Sequence, residues 1–130
     1  MNYVNFRIAG QNIDWEGVNK ALNISPTHIC KKGDLKYDKI TKQPFIYSED
    51  CWTYDIKIEN LDEIEEKLEN FIDLFHMNKD CVQQLSSLHS VTLWITMYQE
   101  AFQQNLHFSK NVLSKISDLG IEMDITCIHL

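Results

Sequence analysis

The chain predicts an α+β fold: one domain with a mostly antiparallel sheet, helices packed on one face, and a ferredoxin-like or related topology. Three observations carry this. Apolar residues alternate with polar ones through Tyr3 to Ile8, Cys51 to Ile58, Val91 to Tyr98 and Ile121 to Cys127, the period-two signature of strands with one buried face. Leu61, Ile64, Leu68, Phe71, Ile72 and Phe75 instead recur at helical spacing. The strands alternate rather than run continuously apolar, as strands of a parallel sheet buried on both sides would.

The elements follow in order. In the first strand Val4, Phe6 and Ile8 point one way and Tyr3, Asn5 and Arg7 the other. Asp14 can accept from free N–H groups of the next turn, and Ile13 and Val18 sit at staple positions, so a short helix is expected over Trp15 to Leu22. Pro26 forces Ser25 away from helical dihedrals, and an extended segment from Thr27 to Lys32 reaches a turn at Gly33. Residues 34 to 50 are polar, basic and interrupted by Pro44, which suggests a long excursion or a loose hairpin. The strand from Cys51 puts Trp52, Tyr54, Ile56 and Ile58 on one face. Asp62 and Glu65 form a capping pair for the helix with the Leu and Phe stripe. A shorter helix carrying Val82, Leu85 and Leu88 starts at Asn78 or Asp80, and the strand with Leu93 and Ile95 follows. Leu106 and Phe108 suggest a short strand. Ser109 caps a helix with Val112, Leu113, Ile116 and Leu119 inward, Gly120 ends it, and a strand closes the chain.

With 130 residues, 44% hydrophobic and 24% charged, the chain has the size and composition of one globular domain. The net charge of -7 argues against nucleic acid as a partner, because phosphate binding rests on cationic neutralisation. The charge is segregated: Lys31, Lys32, Lys36, Lys39 and Lys42 crowd one loop, while Glu59, Asp62, Glu63, Glu65, Glu66, Glu69 and Asp73 crowd one helix. These are either two solvated faces or a pair of patches that steer a protein partner. The absence of a long apolar run and of a signal pattern predicts a cytoplasmic protein with no membrane contact. Cys30, Cys51, Cys81 and Cys127 are widely spaced and expected as free thiols.

Chemistry-bearing patterns are sparse. Thr27, Lys32, Asp34 and Trp52 are the place to look for a ligand, since a Pro-Thr step, a Lys-Gly-Asp turn and a later Trp put costly residue types in non-repetitive positions. Turn chemistry at Gly33 and Asp34 accounts for the same residues. His28 and Cys30 are two apart on one strand, Cys127 and His129 two apart on another, so a tetrahedral zinc site would form if those strands were neighbours; packing is the competing reading. No cofactor or metal is assigned. No Cys or Ser sits in a recognisable nucleophile turn, the acidic helix face is a solvent face, and Lys31 to Asp34 has too few glycines for a phosphate loop. Trp94 falls on the polar face of its strand with Thr92, Thr96 and Tyr98; it is either covered by the long loop or the 78 to 88 segment, or part of a contact surface.

Phe6 to Gly10, Ile24 to Thr27, Lys32 to Asp34, Trp52, the helix with Leu61, Leu68 and Leu74, Leu106 to Ser109, and Leu119 to Ile125 together resemble the bacterial family catalogued as domain of unknown function 4279. The resemblance spans nearly the whole chain. It implies a stand-alone bacterial cytoplasmic domain, with an immunity or accessory role, and brings no catalytic residue or cofactor to transfer. One departure is the last strand, Thr126 to Leu130, which lacks the terminal aromatic residue common in the family. Two functions are expected. The first is a non-enzymatic protein-binding role, in the form of an immunity-type toxin inhibitor. The alternative is a small-molecule-binding or enzymatic domain, compatible with a homodimer, using a pocket near Thr27, Lys32, Asp34 and Trp52.

Overall fold

The computed structural model describes residues 2–99 and 105–129. In chain order these form β1 (Asn2–Gly10), α1 (Trp15–Leu22), β2 (His28–Cys30), β3 (Leu35–Tyr37), β4 (Pro44–Ile46) and β5 (Asp50–Ile58). A single 3₁₀ turn (Leu61–Glu63) follows, then α2 (Ile64–His76), α3 (Lys79–Leu88), β6 (Ser90–Gln99), α4 (Lys110–Leu119) and β7 (Glu122–His129).

The main sheet has the order β2-β5-β1-β6-β7. β1 lies antiparallel between β5 and β6, and β2 pairs antiparallel with β5. β1 and β2 therefore run the same way with β5 inserted between them, the split βαβ of a ferredoxin-like fold. Beyond this core the chain crosses over through α4 and lays β7 parallel to β6, the kind of connection a parallel neighbour requires. β3 and β4 form a separate antiparallel hairpin.

All four helices cover one face of the sheet. Val4, Phe6 and Ile8 of β1 pack with Trp52 and Ile58 of β5, Leu93 and Ile95 of β6, Leu22 of α1, Leu68, Ile72 and Phe75 of α2, Val82 of α3 and Leu119 of α4. Phe6 stacks on Phe75 with ring centroids 3.8 Å apart, and Trp52 meets the Phe6 edge at 6.4 Å. A large buried indole needs its N–H paired: that of Trp52 donates to Asn19 Oδ1 of α1 at 2.7 Å. The expected caps of α1 and α4 form, since Asp14 accepts from the Gly17 N–H and Ser109 from the Val112 N–H. Gly120, at φ 67°, makes the left-handed turn that ends α4.

Four sequence expectations change. The cap at the start of the acidic helix is Asn60, whose side chain accepts from the Asp62 N–H; Asp62 itself sits inside the 3₁₀ turn. Leu106 and Phe108 pack against the core without forming a strand. Leu113 is exposed on α4 because Val112, Ile116 and Leu119 already fill its inward stripe, and Leu88 is exposed at the end of α3. The closing strand is half-open on both sides because it is an edge strand, and Ile125 remains 43% exposed.

Candidate functional site: the open face of the sheet

The alternation that sends Val4, Phe6 and Ile8 into the core sends Tyr3, Asn5 and Arg7 to the opposite, helix-free face. The register brings Arg7 beside Thr53 of β5 and Thr92 of β6, and Asn5 beside Asp55 and Trp94. His28 and Cys30 of β2 extend the same face opposite Thr53 and Cys51. Trp94, which sequence alone leaves between two readings, lies on this face, and its indole N–H donates to Thr126 Oγ1 at 2.9 Å. The 78 to 88 segment covers the other face; the long basic loop leans over this one.

That loop is the β3–β4 hairpin. Gly33, at φ 93°, takes the third position of a turn in which the Asp34 N–H donates to the Lys31 carbonyl, a conformation that favours glycine. Asp34 also accepts from the Lys31 N–H at 2.8 Å, and the Asp50 carboxylate holds the N–H groups of both Lys32 and Ile13. These backbone bonds, that of Lys32 first, hold the Asp50 carboxyl below its ordinary pKa. At the tip, Asp38 accepts from Ile40 and Thr41 and is shifted down by the same cause, the Thr41 bond leading. Phe45 and Tyr47 project from the hairpin over the sheet, where the cleft beneath them is also lined by Asn5, Arg7, Thr53 and Trp94 and holds about 460 Å³. Asn5 continues that cleft toward His28, Asp55 and Tyr98.

The polar groups of this face are unevenly satisfied. The Arg7 side chain donates from Nε to Cys51 Sγ at 3.1 Å, and among the described residues no carboxylate lies within ion-pair range of it. Asn5 Oδ1 and Asp55 Oδ1 are buried atoms without a hydrogen-bond partner among the described residues. Burial pushes the Asp55 carboxyl up, against the opposing pull of His28, whose Nε2 is 3.6 Å away, and of Lys39. The Tyr47 hydroxyl is pushed up to about 12, chiefly by its bond to Cys30 and then by burial, so it stays a protonated donor. Burial raises the Cys51 thiol as well and outweighs the neighbouring Arg7, which keeps it protonated and a poor nucleophile.

The four residues singled out in the sequence are placed differently from one another. Thr27 borders the cleft, and its Oγ1 accepts from the Asp55 N–H at 2.9 Å, extending the ladder just past the end of β2. Lys32 and Asp34 form the turn that launches the hairpin. Trp52 is fully buried on the helix side. His28 with Cys30 and Cys127 with His129 occupy opposite edges of the sheet, β2 and β7, four strand spacings or about 19 Å apart, so they cannot share one metal ion. Among the described residues no group of three or more His, Cys, Asp or Glu is placed to hold one. Sequence reasoning missed Arg7, Asn5 and Asp55. Only Arg7 carries a usable signal: it is the sole arginine in a chain with eleven lysines.

The family model described as a domain of unknown function, DUF4279, matches residues 1–129. The chain belongs to that family. No curated protein and no solved structure matches it. Among the described residues no helix is long and apolar enough to cross a membrane. In this DUF4279 domain a core strand carries into a cleft a cation with no carboxylate partner among the described residues, and an apolar hairpin stands above it.

Proposed function

We propose that this domain is a cytoplasmic binding protein that docks another protein on the outer side of the β3–β4 hairpin. The observation that carries the reading is the hairpin's composition. Five of the eleven large apolar side chains exposed among the described residues, Leu35, Tyr37, Ile40, Phe45 and Ile46, fall in this one short segment. Leu35 and Ile46 are cross-strand partners, 54% and 67% exposed, on the side of the hairpin away from the cleft. An apolar patch on an otherwise charged surface is where monomeric proteins bind. The rim is set by Lys31, Lys32, Lys36, Lys39 and Lys42, against only Asp34 and Asp38, so the fitting partner presents acidic residues around an apolar centre. The rest of the molecule is acidic and repels such a partner, which leaves the hairpin end as the one it meets.

A toxin is the partner that an immunity-type role requires, and a toxin gene beside this one would identify it. The raised thiol of Cys51 supports binding over thiol chemistry at the adjoining cleft.

Affinity capture from the native cell tests the reading, with wild type and a Leu35→Ser/Ile46→Ser variant run in parallel and the captured protein then titrated in purified form. The expected result is a partner whose affinity falls with added salt and drops at least about tenfold, about 1.4 kcal/mol, in the variant. Equal affinity for both chains overturns the hairpin assignment. Self-association that the same variant abolishes would make the partner a second copy of this chain.

A further inference from the structure

We propose that the cleft beneath the hairpin binds a small zwitterion of the amino-acid type, its anionic group on the Arg7 guanidinium and its ammonium on the Asp55 carboxylate. The docking surface centres on Leu35 and Ile46 on the other side of the hairpin, whereas Phe45 belongs to the wall of this cleft.

The chain supplies lysine at eleven positions and arginine at one, and it places that one on the central strand of the sheet, half-buried. A half-buried guanidinium is normally matched by a carboxylate or another anion, because its planar fork of donors loses water on burial. Here Nε is taken by Cys51 Sγ, and among the described residues no carboxylate pairs with the rest of the group. The fork is thus left for an anion from outside the protein.

Two residues along the same strand, on the same face, Asn5 carries a buried oxygen that lacks a donor among the described residues, and its cross-strand partner Asp55 carries a second. Buried acceptors left unpaired are costly and rare in folded proteins. The cleft therefore presents an unmatched cation and, one two-residue step or about 7 Å away, the Asp55 carboxylate, whose side chain is 22% exposed while its Oδ1 and Asn5 Oδ1 lie just beneath the surface. A ligand that satisfies both must carry an anion at one end and an ammonium or N–H group at the other.

That requirement separates ligand classes. Ionised dicarboxylates offer only acceptors and would meet the Asp55 carboxylate with repulsion, and phosphate, although its O–H can donate, brings negative charge to the same carboxylate. A cation alone would satisfy Asp55 and leave Arg7 unmatched. The walls contributed by Phe45, Tyr47 and Trp94 suit an apolar side chain or ring on the ligand, and about 460 Å³ around Arg7 lies within the size range of small-molecule sites. Tyr47, held protonated, adds a hydroxyl to the same wall.

The test is a thermal-shift and calorimetry panel of the free amino acids, their deaminated acids, their decarboxylated amines and inorganic phosphate, each at about 10 mM, which is roughly tenfold above a weak millimolar affinity. At least one amino acid should raise the melting temperature, while its matched acid and amine bind at least about tenfold more weakly. Arg7→Gln and Asp55→Asn should each weaken that amino acid by about tenfold or more, with circular dichroism unchanged. If Arg7→Gln does not fold, chemical-shift changes in the wild-type protein report the site, and they should centre on Asn5, Arg7, Asp55 and Trp94. The proposal is overturned if no amino acid binds, if phosphate or a deaminated acid binds as well as the zwitterion, or if the shifts map elsewhere.

Discussion

The two faces of the central sheet are written by alternate residues of the same strands, yet they obey different rules. On the helix side every large side chain of β1 has an apolar partner, the Trp52 indole N–H is matched by Asn19 and Asn2 Oδ1 accepts from the Tyr98 N–H, while His76 Nε2 of α2, 3.7 Å from Asp118, is the one buried atom there without a hydrogen bond among the described residues. On the hairpin side, one residue away along the same backbone, Arg7 has no counter-ion, and Asn5 and Asp55 have oxygens without donors, among the described residues. A protein interior minimises such mismatches because each one subtracts from a net stability of only about 5–15 kcal/mol. The helix side, where the apolar core lies, holds the fold, and the open face carries most of the mismatch that the proposals above assign to contact.

Adjacent residues of β1 give the largest test. Phe6→Ala removes a fully buried ring stacked on Phe75 and should cost about 3–5 kcal/mol in urea unfolding. Arg7→Gln should change stability by less than about 1 kcal/mol. Comparable losses at both positions would mean that the open face also holds the fold. A smaller effect is expected at Trp52. Trp52→Phe keeps most of the apolar bulk but strands Asn19 Oδ1, so a loss of about 1–2 kcal/mol should appear, and Asn19→Leu should recover part of it in a double-mutant cycle.

Helix caps refine the comparison on the stable side. Ser109→Ala and Asn60→Ala should each cost about 1 kcal/mol, whereas Asp62→Ala, whose side chain is not the cap, should fall within about 0.5 kcal/mol of wild type. Thermal melts of the three variants rank them directly.

The smallest effect is the pH dependence of Asp55. Burial raises its folded pKa above the unfolded value of about 3.9, so the folded state retains a proton that the unfolded chain has released. Stability linked to this group is complete below about pH 3.9 and is lost as pH rises through the folded value. Asp55→Asn removes that loss. The variant should gain on wild type between about pH 3.5 and pH 7, with His28 and Lys39 moderating the gain because both favour the carboxylate. A flat difference across this range would show that Asp55 is solvated like a surface carboxylate.

Much of this architecture is legible in local pattern. Alternation in β1, β5 and β6, the Leu and Phe stripe of α2, the Ser109 cap and the Gly120 stop each depend on residues within one or two turns of one another. Local sterics and one-sided burial are enough to specify them. The candidate site is not local. His28 with Cys30 and Cys127 with His129 look equivalent along the sequence, and only the strand order sets them on opposite edges. Trp52 stands out in the sequence as an unusual residue, and only the packing of α1 shows that its N–H is satisfied inside the core. Arg7 and Asp55 are forty-eight positions apart and meet on one face because β1 and β5 pair in a particular register.

The sequence by itself therefore determined the α+β class, the family, the alternation of the strands and the basic excursion that becomes the hairpin, because each is encoded in composition or in short-range periodicity. Tertiary structure decided which polar residues share a surface, that the hairpin folds over the helix-free face, and that Arg7, Asn5 and Asp55, each incompletely paired among the described residues, gather on that face. The physical reason is that pairing register and strand order come from summing burial over the whole sheet, and a charge becomes informative only when its possible partners in space are known.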